Sequence, residues 1–414
     1  MEKRKPFNIN KEQVVEAYRQ VKANKGAAGV DNQSIAEFEE KLEDNLYKLW
    51  NRLASGSYFP TPVKAVAIPK RNGGERTLGI PTVTDRIAQA VVKIAIEPDI
   101  DKYFHQDSYG YRPKKQALDA IAITRKRCWQ YEWLVEYDIK GLFDNINHEK
   151  LMKVVKAHVK EKWQLLYIER WLKAPIQERI GVLKERTKGT PQGGVISPIL
   201  SNLFMHYAVD EWMKRNIPEV PWARYADDGV FHCKTQKKAE YVLQQLENRL
   251  AACNLEINRD KTRIVYCGVA RQQNSKSFKF LGYDFQLRRA CKRNSSQVFT
   301  SFLPAISKDK MKEIRSQIRK DNIRARSDLS LESIAQWYNP KIIGWYNYFG
   351  KFYPSKMTKV WKYFNKALVL WAQSKYKKIR SSTGKAMMLI QRIQAKHESL
   401  FFHWKLKQGK EIYV

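Results

Sequence analysis

The chain has 414 residues, of which 43% are hydrophobic and 12% aromatic. That is enough for two or three domains with sizeable cores, and it excludes wholesale disorder. Seventy-six Lys and Arg against 42 Asp and Glu leave a net charge of +34, a surplus that a polyanionic partner neutralises and an acidic small molecule does not require. No run approaches the ~20 apolar residues of a membrane span. The opening residues MEKRKPFNINKEQ lack the apolar core of a secretory signal. The five scattered cysteines, Cys128, Cys233, Cys253, Cys267 and Cys291, make no C-x-x-C pair. The expectation is a reduced, cytoplasmic protein with no disulfide framework, zinc site or membrane contact.

In chain order, Asn10–Lys22 and Ser34–Leu53 carry apolar residues at three- and four-residue spacing and predict amphipathic helices. Val63–Pro69 predicts a strand, Arg71-Asn72-Gly73-Gly74 a hairpin turn, and Glu75–Ile80 the returning strand. Thr84–Ile96 predicts a helix capped by Thr84 or Asp85. A buried strand follows at Trp133–Ile139, then helices at His148–Val159 and Pro198–Arg215. Two strands meet around Tyr225–Asp228, before a helix at Lys237–Cys253 and strands at Thr262–Tyr266 and Phe278–Phe285. RRACKRNSSQ (288–297) reads as an exposed basic loop or hairpin. Beyond residue 307 the pattern is helical: Lys308–Ile323, Ser330–Tyr348, Pro354–Tyr376 and Gly384–Ala395. Charge shifts along the way, from 48 basic and 35 acidic residues in 1–285 to 28 and 7 in 286–414, which places a boundary near Gln286. The fold class is α+β followed by an all-α basic domain.

Tyr225-Ala226-Asp227-Asp228 lies between two apolar runs, so it reads as a hairpin with two carboxylates at its tip. Neighbouring strand residues face opposite ways, and both acids reach one site only from the turn, for which Gly229 offers backbone freedom. Ordinary turn chemistry is the plainer account. Asp138 closes the apolar run LVEYDI, where an unpaired carboxylate is costly. It is either paired with a Lys or Arg in a core or a third oxygen ligand beside Asp227 and Asp228. Three such carboxylates suit Mg²⁺, and two ions stabilise both oxygens of a phosphoryl transfer.

The motifs NKGAAGVD (24–31), IPKRNGGERTLGIPTVTDRIAQ (68–89), SYGYRP (108–113), VEYDIKGLFDNINHEKL (135–151), GTPQGGVISPILSNLFMHYAVDEWM (189–213), RYADDGV (224–230), NRDKT (258–262) and FLGYDF (280–285) occur in the order of one family. The chain resembles the group II intron-encoded reverse transcriptase/maturases over nearly all of residues 20–285.

That resemblance implies a right-hand polymerase: fingers and palm over 1–285 with an N-terminal extension to about residue 60, a thumb/maturase domain over 286–376, and a short basic tail over 377–414. It implies that Asp138 and Asp227 hold two Mg²⁺ ions, with Mn²⁺ as a substitute, assisted by the backbone carbonyl of Ile139, and that Asp228 completes the acidic site. Deoxynucleoside triphosphate would meet Lys70 and Arg76 of the fingers hairpin, Phe143 beneath the sugar, Gln192 of the PQGG loop, and Lys261. Arg112, Gly282 and Tyr283 would lie along template and primer. For several of these the plainer role is structural: a solvated hairpin face for Lys70 and Arg76, a core ring for Phe143, a turn for PQGG. NKGAAGVD would form a loop closing over the template.

Between Trp337 and Tyr376 there are 13 Trp, Tyr or Phe residues interleaved with lysines. Rings of this kind stack on bases while lysines follow phosphates, or else fill a helical core rimmed by Lys. WYNPKIIGWYNYFGKF (337–352) is similar to the family's maturase segment, which implies intron RNA as a partner, besides RNA template with DNA primer, dNTPs and target DNA. After residue 376 the family's Cys/His endonuclease has no counterpart, so no endonuclease is expected. The expected function is RNA-directed DNA polymerase with a splicing role. The alternatives are a reverse transcriptase co-opted for antiviral defence and a polymerase-inactive RNA-binding splicing cofactor.

Overall fold

The computed structural model describes residues 5–69, 73–179, 181–268, 277–291 and 298–406. They form an α+β fold with largely antiparallel sheets and a helical C-terminal region, in two compact units: Met1–Ala120 with Val135–Ile264, and Ile121–Leu134 with Val265–Val414.

In the first unit, α1 (Lys11–Asn24) buries Val14, Ala17, Tyr18 and Val21. The single helix expected over Ser34–Leu53 is two, α2 (Ile35–Glu39) and α3 (Leu42–Ser55). Ser34 and Glu37 cap the first, and where the backbone breaks at Lys41 the Asn45 amide donates to the Phe38 carbonyl at 3.0 Å, taking up a group the helix end leaves open. β1 (Val63–Pro69) and β2 (Glu75–Ile80) pair antiparallel as expected, with Ile68 opposite Arg76. The turn residues Arg71 and Asn72, and Lys70 before them, lie outside the described residues. α4 (Val83–Ile100) begins one residue earlier than expected and is capped by Thr82, whose hydroxyl accepts from the Asp85 amide at 3.2 Å. Asp85 is no cap because its buried carboxylate accepts from Tyr58, Thr61 and Thr82.

The elements around the site follow: α5 (Ala117–Arg127), β3 (Trp133–Tyr137), α6 (Leu142–Asn145), α7 (His148–His158), α8 (Lys162–Lys173), β4 (Ile176–Gln177) and β5 (Leu183–Lys184). The long helix expected at 198–215 is α9 (Ser197–Met205) and α10 (Glu211–Asn216), joined by a π-helical turn at His206–Asp210. Then come β6 (Trp222–Tyr225), β7 (Asp228–Cys233), α11 (Gln236–Ala252) and β8 (Arg263–Tyr266). One sheet runs β2-β1-β4-β5, with β1 and β4 parallel; the other runs β6-β7-β3-β8.

In the second unit the strand expected at 278–285 divides into β9 (Phe278–Phe280) and β10 (Tyr283–Cys291), because Leu281 and Gly282 both take positive φ. β10 pairs antiparallel with β11 (Val298–Ile306), so the first four residues of RRACKRNSSQ are strand and Gln286 lies within β10; residues 292–297 lie outside the described ones. Four α-helices follow among the described residues: α12 (Lys308–Lys320), α13 (Leu331–Phe349), α14 (Thr358–Lys375) and α15 (Thr383–Lys396). The aromatic-rich stretch is partly core: of its 13 rings Tyr338, Phe349, Trp361, Phe364 and Trp371 are buried, seven are half-buried and Tyr376 is exposed, while Lys351, Lys359, Lys362 and Lys366 face solvent.

His403, fully buried, donates from Nε2 to Asn365 Oδ1 at 2.8 Å, and burial pushes its pKa down to about 3. Its folded-state value lies below the ordinary ~6.5, so this group favours the folded state fully above pH ~6.5, and the contribution falls as pH drops from there towards 3. In His403→Gln, which keeps an N–H donor, the stability lost between pH 6 and 4 should be smaller by about 1.4 kcal/mol per pH unit, measured by denaturant unfolding followed by tryptophan fluorescence.

Candidate active site

β3 ends at Tyr137, so Asp138 stands at the first position past the strand. The chain 256–262 runs beside it: Lys140 N donates to the Glu256 carbonyl at 2.9 Å and Asn258 N to the Asp138 carbonyl at 2.8 Å, around an isolated bridge between Ile139 and Ile257. That pairing uses the carbonyl of Asp138 and the amide of Lys140, so it leaves the Ile139 carbonyl out. The Asp138 side chain is 10% exposed. It accepts from Asn258 Nδ2 at 3.0 Å and from Lys261 Nζ at 3.1 Å to each oxygen.

β6 and β7 pair antiparallel, Tyr225 opposite Asp228, with Ala226 and Asp227 as the connecting turn. The acids therefore sit at a hairpin tip, as expected. The glycine expected to make the turn does not. Ala226 takes the left-handed conformation at φ +58°, whereas Gly229 is needed because a Cβ there would strike the Tyr137 ring, which stacks on Phe231 at 4.9 Å. The hairpin and the end of β3 bring Asp138 within hydrogen-bonding reach of Asp228. Burial, then the charges of Asp227 and Asp138, push the Asp228 carboxyl up to about 7; burial and Asp138 raise Asp227 as well.

Three acids whose charges act on one another, two of them raised by burial and by their neighbours' charge, form an all-oxygen donor set, the kind that hard divalent cations take. The only cation bonded to Asp138 among the described residues is Lys261, and no group of three His, Cys, Asp or Glu side chains there is closed up around a metal-sized centre. The lysine is thus the countercharge in this arrangement: Asp138 is paired with a Lys, as one of the two expected alternatives has it, though that Lys is half exposed and not in a core.

Arg76 on β2 donates through Nε to Gln192 Oε1, and Gln192 Nε2 donates to Asp144 at 2.9 Å. The Gly79 amide donates to the Gln192 carbonyl at 2.9 Å and the Thr190 amide to the Phe143 carbonyl at 2.6 Å, so residues 189–194 are wedged between β2 and α6. Gly189 and Gly193 sit at φ +79° and +126°; a Cβ would come within 2.7 Å of the Phe143 and Asp144 carbonyls at the first and 2.5 Å of the Gly79 carbonyl at the second. Phe143 is buried, at 8% exposure, as the plainer reading of a core ring has it. Gly26 and Gly29 of NKGAAGVD pack against Arg86 and Thr82, and Arg86 donates to the Lys25 and Ala27 carbonyls, so that loop is strapped to the start of α4.

Arg112 is placed differently from expectation. Its five N–H groups are spent on Asp101 and on the carbonyls of Asp101, His105 and Ser108, at 2.7–3.3 Å, with the side chain 6% exposed. It braces its own loop and keeps no donor for template. Arg112→Ala should cost about 3 kcal/mol of stability, visible in thermal melts, with template affinity changed less than about twofold. In the second unit Gly282 accepts from Ser307 N through its carbonyl at 3.1 Å, and Tyr283 is fully buried with its hydroxyl on the Tyr348 carbonyl and its ring among Tyr348, Phe349 and Phe352. Tyr283 is a core residue, and burial raises its phenol. Sequence reasoning missed the buried Arg224–Asp210 pair next to the acidic turn. Its only signal was a charge inside the apolar run WARY.

The sequence profile of the family Reverse transcriptase (RNA-dependent DNA polymerase) matches residues 68–285. The chain belongs to that family, the RNA-directed DNA polymerases. The profile of the Group II intron, maturase-specific domain matches residues 311–388, so the type is that of the intron-encoded reverse transcriptases. Protein YkfC of Escherichia coli (strain K12) is 31% identical over 318 residues, 67% of this chain and 81% of that one. Group II intron-encoded protein LtrA of Lactococcus lactis subsp. cremoris is 28% identical over 344 residues; the match takes in 66% of this chain and 55% of LtrA. Among solved structures, apo telomerase from Candida tropicalis aligns over 90% of this chain and 73% of its own, at TM-score 0.48 and 14% identity. Among the described residues no helix is long and apolar enough to cross a membrane.

Proposed function

We propose that this chain copies RNA into DNA by two-metal nucleotidyl transfer and that its basic helical region binds group II intron RNA to assist splicing and mobility. The observation that carries the reading is the meeting of Asp138, at the end of β3, with Asp227 and Asp228 at the β6–β7 tip. Asp138 and Asp227, with the Ile139 carbonyl and Asp228 beside them, would hold two Mg²⁺ ions, which when bound supply Lewis acidity to the displacement. Lys261 would then be released from Asp138 to face phosphate.

The primer 3′-hydroxyl attacks the α-phosphorus of a dNTP and pyrophosphate leaves, a reaction that depends on positioning and charge. Arg76 of β2, and with it Lys70, neutralise the triphosphate, with Gln192 orienting Arg76 until substrate arrives. Phe143 serves as the ring beneath the sugar. In this reading fingers and palm run to about residue 285, and the thumb and maturase region extends past the expected limit at 376, since α15 and the buried His403 and Trp404 pack with it. Primer extension on an RNA template tests it: dNTP incorporation with Mg²⁺ and none in EDTA supports the reading, and no incorporation under either condition ends it. Splicing of the RNA flanking the gene tests the maturase part separately.

A further inference from the structure

We infer that Arg224, locked by Asp210, is a positioning residue for the acidic turn, setting where Asp227 and Asp228 stand relative to Asp138. The inference rests on the carboxylate reading above. Arg224 and Asp210 are both fully buried. Nε and one terminal nitrogen of the guanidinium grip the two oxygens of Asp210, the first at 2.8 Å. The remaining N–H groups go to Ser108 Oγ at 2.9 Å, Asn202 Oδ1 at 3.2 Å and the Ala226 carbonyl at 2.9 Å.

All five donors are thus used, and one of them holds the residue immediately before Asp227. Ala226 is the residue that needs holding, since a left-handed φ of +58° is disfavoured for a side chain with a Cβ. The clamp is anchored from two further sides. Asp210 comes from the π-helical turn, an irregularity frequent at functional sites. Asn202 Nδ2 donates to the Gly110 carbonyl at 2.6 Å, and Gly110 lies so close under the turn that a Cβ would come within 2.5 Å of the Ala226 amide. A buried ion pair is a poor means of stabilising a fold, since apolar side chains of similar volume do as well. Fixing a fork-shaped donor on one strained carbonyl is what an apolar pair cannot do.

The test compares Arg224→Met with Asp210→Leu, combined in one chain, against wild type. The expected result is a folded chain that melts somewhat lower, because Asn202 Oδ1 and the Ala226 carbonyl lose their donor, with unchanged RNA affinity. kcat for dNTP incorporation should fall about 100-fold with KM for dNTP within about threefold, and Mn²⁺ binding followed by electron paramagnetic resonance should weaken about tenfold. Wild-type kcat and Mn²⁺ affinity in a folded double variant would overturn the inference. So would a double variant that does not fold, because the pair would then serve general stability. If wild type itself fails to extend primers, the carboxylate reading falls instead, and unchanged Mn²⁺ binding in the double variant would still be decisive against the positioning role.

Discussion

Asp227→Ala is expected to remove primer extension, by roughly 10³-fold or more in kcat, while intron RNA binding stays within about twofold. The asymmetry follows from where the residue stands. Asp227 is half-buried at a two-residue turn, in the company of Asp138 and Asp228, with Lys261 and Arg76 as the positive charges that act on it. The same variant should melt no lower than wild type in EDTA. Asp227 raises the Asp228 carboxyl by charge repulsion, so its removal relieves a strained pair when no cation is bound. Single-turnover extension, filter binding and a thermal melt measure the three quantities. Retained extension would remove Asp227 from the metal-holding role.

Raising salt from about 50 to 200 mM should weaken RNA binding by about 10³-fold, if six or more phosphates are neutralised. Residues 286–414 carry 28 basic and 7 acidic residues. Among the described ones Lys351, Lys359, Lys362 and Lys366 are exposed. With this excess of exposed lysine, affinity rests largely on charge, and charge is screened. A titration series at several salt concentrations gives the slope of log Kd; a flat line would contradict an electrostatic surface.

How much of this was legible beforehand depends on what each residue needed. The acidic hairpin and Asp138 could be read because the local pattern, a charge ending an apolar run, carries its own physical oddity. Lys261 could be read only through resemblance, and it lands on Asp138. Arg112 and Tyr283 could not be placed: whether an arginine meets a template or five acceptors of its own loop depends on which carbonyls the fold gathers, and no spacing records that. The roles of Gly229 and Ala226 were exchanged for the same reason, since the Tyr137 ring that forbids a Cβ at 229 comes from a strand far earlier in the chain. The break between α2 and α3 and the π-helical turn are small irregularities inside otherwise correct helical periods, which a 3.6-residue repeat cannot register.

The wedged glycines at 189 and 193 carry a consequence for anyone who randomises this loop. A library selected merely for soluble, folded chains would already return glycine at both codons, since the carbonyls of Phe143, Asp144 and Gly79 leave no volume for a methyl group. Invariance there reports carpentry between two segments of backbone, and a screen for altered substrate choice would do better to leave those two codons fixed and diversify Gln192 between them.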